Sequence, residues 1–209
     1  MLRFWELPTF AVVLGATSRR LEDVNVELCR EEGVPLARRS SGGGTVVIGP
    51  GALNLTVVLP MSAAPGLNAV DTAHSFVLGR IAASLSLSVP NVEVLGLGDL
   101  TLNGRKFGGS AQRRLRHWFF VHVSVLYNFP LARISRFTNL PRRQPAYREG
   151  RPHEDFVTNL PMSREELQRR VIAAWTESPG RVDDASLPTV LACELTSDRF
   201  GDPAWVERL

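Results

Sequence analysis

Residues 38–44 read Arg-Arg-Ser-Ser-Gly-Gly-Gly, and residues 99–112 read Asp-Leu-Thr-Leu-Asn-Gly-Arg-Lys-Phe-Gly-Gly-Ser-Ala-Gln. In the first stretch, three consecutive glycines let the backbone approach a ligand without Cβ obstruction and present several N–H donors, which is how a loop cradles an anion. The Arg38-Arg39 pair beside them supplies forked, permanently charged donors suited to phosphate or carboxylate. In the second stretch, Lys106 is the only lysine of an arginine-rich chain. Gly108-Gly109-Ser110-Ala111-Gln112 follows at once, a strand edge that a ligand can approach closely. Together these residues suit the handling of a phosphate-bearing group by a loop and a positioned ammonium. Each motif also has an ordinary reading, since a glycine triplet is most often a turn and a hairpin lysine most often solvated. A Walker loop is excluded, because Gly104-Arg105-Lys106 lacks the spacing and the Ser/Thr, and no G-x-G-x-x-G follows a strand.

The elements that must position these residues are legible from periodicity. Phe10 to Gly15 is an apolar run that predicts a strand, and Leu21, Val24, Leu28 and Cys29 at helical spacing predict a helix ending at Gly33. Thr45 to Ile48 and Asn54 to Leu59, separated by Gly49-Pro50-Gly51, predict a pair of adjacent strands. Asp71 is expected to cap a helix whose Ala73, Val77, Ile81 and Leu85 share a face. Asn103-Gly104 predicts a type I′ hairpin pairing Leu102 with Arg105, Thr101 with Lys106 and Leu100 with Phe107. Trp118 to Phe129 predicts a long strand with His122 and Ser124 on one side. An Arg- and Pro-rich loop is expected from Pro130 to Pro152. Ser163-Arg164-Glu165-Glu166 is a capping box opening a helix with Leu167, Val171 and Ala174-Trp175 on its buried stripe. Pro179-Gly180 ends that region, and one more helix with a peripheral segment is expected in the tail.

The chain has 209 residues, 44% hydrophobic and 22% charged, which suits one soluble domain with a sizeable core. Its longest apolar runs fall far short of the ~20 residues of a membrane span, and no secretory signal opens it, so a cytoplasmic location is expected. Two cysteines, Cys29 and Cys193, are too few for a disulfide framework or a structural metal site. Both read as helix-core residues. Net charge is +3 with Arg dominant, which suits anionic partners. The Arg pairs are scattered in no recognisable nucleic-acid module, so neither nucleic acid nor a membrane is an expected partner.

The motifs at 38–46, Leu53-Asn54, and Asp99 with Asn103–Gln112 stand in an order that resembles the lipoate-protein ligase A family. The resemblance takes in Trp5–Gly15 and Asp23-Val24-Asn25 and covers roughly residues 5–130. It implies an α+β domain around a central mixed β-sheet flanked by helices, similar to the biotin ligases and class II aminoacyl-tRNA synthetases. It also implies one catalytic domain over residues 1–209, with a short N-terminus and without the accessory C-terminal domain of full-length ligases. The implied activity is ATP- and Mg²⁺-dependent activation of lipoate (or octanoate) as an acyl adenylate, then transfer to a lysine of a carrier domain. That carrier would be of the 2-oxoacid dehydrogenase E2 or glycine-cleavage H type, with a separate accessory subunit as a further partner. The resemblance makes Lys106 the catalytic residue, in contact with both acyl and nucleotide groups. It assigns Arg39, Gly44, Thr45, Val46, Val47 and Asp99 to the nucleotide, with Asp99 also facing Mg²⁺. Ser41, Gly42, Gly43, Gly108, Gly109, Ser110, Ala111 and His122 go to the acyl group, and His153 is a candidate substrate-side contact. Two alternatives stay open: an octanoyl or lipoyl transferase using an already activated acyl group, through a cysteine thioester at Cys29 or Cys193, and a non-catalytic lipoyl-binding module.

Overall fold

The computed structural model describes residues 1–175, 194–195 and 200–208. Among them, the strands form two sheets. The larger takes β1 (Leu2–Trp5), β5 (Ala52–Pro60), β9 (Trp118–Leu126), β8 (Arg105–Arg114), β7 (Asp99–Leu102) and β6 (Val92–Leu95) in that spatial order, every neighbouring pair antiparallel. The smaller places β2 (Ala11–Leu14) between β3 (Leu36–Arg38), parallel to it, and β4 (Val46–Ile48), antiparallel. The α+β class stands, and the mixed pairing belongs to the small sheet. Only there, among the described residues, does a helix-bearing crossover join adjacent strands, through α1 (Arg20–Asp23) and α2 (Val26–Glu31).

One core lies between the large sheet and α3 (Val70–Ser86), whose Ala73, Val77, Ile81 and Leu85 are fully buried at the expected four-residue spacing. Burying a side chain such as Leu78, Ile81 or Leu85 contributes about 1.5–3 kcal/mol. Asp71 is not the cap: Ala69 holds that position with no side-chain bond, and Asp71 sits in the first turn, where its charge favours the helix N-terminus. The helix α6 (Arg164–Ala173) packs beside α3. It is capped as expected, Ser163 Oγ accepting from the Glu166 N–H, and Leu167 and Val171 are buried. A second core gathers Val12, Leu14, Val24, Cys29, Val47, Phe129 and Phe137 behind the small sheet.

Several expectations need correction. The helix expected from Leu21 to Gly33 is broken into α1 and α2, because Val24 is extended and bridged to Thr138, and Asn25 recaps the chain by accepting from Leu28 N–H. The strands flanking Gly49-Pro50-Gly51 do not pair. β4 belongs to β2, while β5 lies between β1 and β9, so the turn carries the chain from one sheet to the other. Gly51 makes this possible: at φ 87° a Cβ would lie 2.2 Å from the Asn128 carbonyl oxygen. The strand expected to Phe129 ends at Leu126. The 130–152 segment contains α4 (Ala132–Phe137) and a 3₁₀ turn at Ala146–Arg148. It leads into α5 (His153–Phe156). In the tail, α7 (Pro203–Glu207) is described, whereas Pro179-Gly180 and Cys193 lie outside the described residues. Among the described residues no helix is long and apolar enough to cross a membrane.

Candidate active site

Asn103 (φ 50°) and Gly104 (φ 73°) form the expected type I′ turn, and Leu102 pairs with Arg105 and Thr101 with Lys106 as read from the sequence. The register then slips. Leu100 faces Gly108 and Asp99 faces Gly109, so Phe107 is an extra residue rather than the partner of Leu100. This bulge has a chemical result. Thr101 and Asp99 share a face of β7, so their partners Lys106 and Gly109 share the same face of β8, which even spacing would have forbidden. Across β8 and β9 that face continues through Gly109 and Ser124, then Ala111 and His122.

On this face Lys106 Nζ lies 2.6 Å from Asp99 Oδ1, and the Tyr147 hydroxyl donates to Asp99 Oδ2 at 2.7 Å. A Cβ at Gly109 would stand 2.9 Å from Lys106 Cε and Nζ, so the glycine leaves the room in which the ammonium lies. Burial, then the charge and hydrogen bond of Asp99, push the Tyr147 phenol far up, and it stays a donor at neutral pH. Tyr147 escaped sequence reading, because it comes from the Arg- and Pro-rich segment and meets Asp99 across 48 residues. Arg151 fixes that segment, donating to the Tyr147 and Gly104 carbonyls. The bonds of His153 run to Arg148 and the Asn139 carbonyl, so it braces the same segment and not a substrate.

The glycine loop lies across this face. Gly43 has φ 86°, and a Cβ on it would meet Arg39 Nη2 at 2.9 Å and Ala111 Cβ at 3.5 Å. Arg39 spans the loop, donating to the Gly42, Gly44 and Val13 carbonyls and to Ser41 Oγ. Burial lowers its pKa to about 10, which leaves it charged at neutral pH. The backbone N–H groups of Gly42, Gly43 and Gly44 donate to no acceptor among the described residues, which leaves them free for an anion. Ser41 Oγ lies 2.8 Å from His122 Nε2. Burial first, then the charge of Arg39 and the nearby His74, lower that imidazole to about 4, so it is neutral.

Arg38 and Arg39 therefore differ. Arg38, 2% exposed, turns away from the site and donates to the Gly15, Ser18 and Val206 carbonyls, while Trp205 Nε1 donates back to the Arg38 carbonyl. It is a brace beneath the loop and not an anion ligand. Ser110 lies on the opposite face of β8, opposite Val123, and binds the Gly98 carbonyl. Gly108 also faces the core, where a Cβ would crowd Leu100 at 3.2 Å. Val47 is buried in the second core, so of residues 45–47 only Thr45, whose buried Oγ1 has no partner, and half-buried Val46 leave side chains nearer the loop. Asn54 is buried and accepts from Ser124 Oγ. Among the described residues no group of three or more His, Cys, Asp or Glu could hold a metal ion, and both oxygens of Asp99 are engaged, so the donor set does not fit a resident metal.

The glycine loop, with its unpartnered N–H groups, and the partly exposed Lys106–Asp99 pair thus stand on one face of the large sheet in an α+β frame. The description "Lipoyl protein ligase A/B catalytic domain" matches residues 1–175, and the chain belongs to that family. It is 31% identical over 64% of its length to a putative lipoate-protein ligase A of Aeropyrum pernix, of which it covers 48%. It is 30% identical over 75% of its length to an octanoyl-[GcvH]:protein N-octanoyltransferase of Geobacillus kaustophilus, of which it covers 59%. The chain thus spans about half the length of these relatives. Its fold matches that of a bi-partite lipoate protein ligase from Thermoplasma acidophilum, studied with its E2 lipoyl domain, at TM-score 0.83 and 20% identity, covering 99% of this chain and 83% of that one. A lipoate-protein ligase A bound with ATP matches at TM-score 0.81 and 20% identity, covering 100% and 86%.

Proposed function

We propose that the chain is the catalytic domain of a lipoate-protein ligase, which joins lipoate to AMP and passes the lipoyl group to a lysine of a carrier domain. The observation that supports this best is the Lys106 ammonium, held by Asp99 on the face over which the unpartnered N–H groups of Gly42–Gly44 lie. In the first half-reaction a lipoate carboxylate oxygen attacks the α-phosphorus of ATP and pyrophosphate leaves. In the second the carrier amine attacks the acyl carbon, the C–O bond to phosphate breaks and AMP departs with the electron pair. Charge grows on the acyl and phosphate oxygens in both steps, where a fixed ammonium and backbone donors lower the barrier. Ser41, Gly43, Ala111 and His122 would line the acyl side, and Arg39, Gly44, Thr45 and Asp99 the nucleotide side. Mg²⁺ would enter with the triphosphate as part of the substrate. The bi-partite and E2-associated neighbour supports a separate accessory chain for activation and a lipoyl-domain acceptor.

The octanoyltransferase relative favours a second reading, in which the domain moves an acyl group activated elsewhere. A thioester at Cys29 is disfavoured: the thiol is 1% exposed in the second core and pushed up by burial and then Glu32.

Mass spectrometry of a lipoyl domain incubated with the protein, ATP, Mg²⁺ and lipoate tests the proposal, with preformed lipoyl-AMP as a second donor. An ATP-dependent lipoyl mass that falls about 10²–10³-fold in Lys106→Ala is expected. Modification from lipoyl-AMP alone would assign activation to a partner. No modification from either donor would overturn the ligase reading.

A further inference from the structure

Of the 24 Lys and Arg residues in the chain, Lys106 is the only lysine. Under the ligase reading, on which the following rests, the acyl group is destined for a lysine amine. The site therefore keeps beside the mixed anhydride the same functional group that the enzyme must not modify. An uncharged Lys106 would react as the carrier lysine does. Its Nζ would attack the acyl carbon, an amide would form, the C–O bond to phosphate would break, AMP would leave with the bonding pair, and the amine proton would pass to water. The product is a neutral amide, and the cation of the site would be lost. Elsewhere the chain uses arginine, whose guanidinium does not give up its proton in proteins and is no acyl acceptor.

What surrounds Lys106 is built to withhold its nitrogen. Asp99 Oδ1 is 2.6 Å from Nζ, and the carboxylate is itself fixed from its far side by the Tyr147 hydroxyl at Oδ2. Tyr147 is immobilised in turn, its ring 5.3 Å from that of Phe156 and its carbonyl bound by Arg151. The main chain before Asp99 is stitched to β8 by two bonds from Ser110, N–H and Oγ, to the Gly98 carbonyl. Asp99 therefore cannot follow a lysine that swings toward an acyl carbon.

We propose that Asp99 and Tyr147 act as a guard on Lys106, holding its nitrogen as an ion-paired ammonium so that it stabilises charge on the acyl adenylate without becoming its acceptor. Both are positioning residues, and self-acylation at residue 106 is the readout that a merely structural role would not move. The high pKa of Tyr147, from burial and the adjacent carboxylate, keeps the hydroxyl proton available to Asp99.

The chain has two kinds of amine, the amino terminus and Lys106, so the terminus is an internal standard. The protein, Asp99→Asn, Tyr147→Phe, Asp99→Glu and Asp99→Asn/Lys106→Arg are treated briefly with acetic anhydride, and in parallel with octanoyl-AMP, then mapped by peptide mass spectrometry. Asp99→Asn is expected to raise acetylation at Lys106 about tenfold relative to the terminus. Tyr147→Phe should raise it severalfold, and Asp99→Glu should restore protection. With octanoyl-AMP, Asp99→Asn should gain one acyl group on the peptide holding residue 106, absent from the double variant. An unchanged ratio in folded Asp99→Asn and Tyr147→Phe overturns the guard, and if Asp99→Asn does not fold, Tyr147→Phe decides alone. Octanoyl transfer to a lipoyl domain by the unaltered protein, without self-acylation of Asp99→Asn, overturns it also. Protection from acetic anhydride that Asp99→Asn abolishes, with no octanoyl transfer by any form, upholds the clamp and removes the ligase reading.

Discussion

Gly109→Ala separates the stability of this fold from its chemistry. Gly109 lies outside the left-handed backbone region, so alanine meets no conformational penalty there. Its methyl would sit 2.9 Å from both Cε and Nζ of Lys106 and 3.9 Å from Asp99 Oδ1. Carbon contacts settle at about 3.5–4.0 Å, so the ammonium must withdraw by roughly 0.6–1.1 Å. The obstructing atoms end a flexible side chain, so no backbone has to move. Replacing glycine within a strand should then add about 0.5–1 kcal/mol of stability. A misplacement near 1 Å costs roughly a hundredfold in rate, about 2.7 kcal/mol of barrier. Single-turnover transfer from octanoyl-AMP to a lipoyl domain should slow about a hundredfold, while thermal unfolding moves upward by a few degrees or not at all. A variant that transfers at the original rate, or one whose rate and melting temperature fall together, would refute this account of Lys106.

Gly15→Ala should behave in the opposite way, because its Cβ would lie 2.0 Å from the Gly43 carbonyl oxygen, a backbone atom of the loop. Stability should fall by about 1–3 kcal/mol in urea titrations together with activity; retained stability would show that the loop can shift freely. His122 predicts an acid-side loss of stability. Its imidazole is held at about 4 in the fold against an ordinary 6.5, so the unfolded chain binds more protons between those values. Stability should be full above pH 6.5 and decline as pH falls toward 4, by up to about 3 kcal/mol. His122→Gln should flatten the urea-midpoint curve over that window, and parallel curves for the two proteins would contradict the assignment.

What the sequence revealed was local. The type I′ turn at Asn103-Gly104 rests on two residues whose backbone preferences need no partner, and it was readable, as were the buried stripes of α3 and α6. The slip at Phe107 was not, because it depends on Leu100 packing into the space left by Gly108, a contact between strands. The glycine loop was visible as a motif, but its two arginines were not separable. One donates to carbonyls from residues 15, 18 and 206, and the other to carbonyls from 13, 42 and 44. Adjacent side chains on a strand point to opposite faces, and which face is the site is decided by the second sheet. Tyr147 lies in a segment without periodicity, so nothing in its neighbours announced that its hydroxyl reaches Asp99.

The guanidinium of Arg38 also sets an order of events during synthesis. Its acceptors at residues 15 and 18 are made before it, but the one at Val206 is 168 residues later. A ribosome adding about 5–20 residues per second needs on the order of ten to thirty seconds to cover that stretch. For that interval the nascent strands β2 and β3 hold a cation whose last acceptor does not yet exist. The glycine loop thus receives part of its support from a residue translated long after it. A chain stalled or clipped before residue 206 would carry every motif of the site without the clasp beneath it.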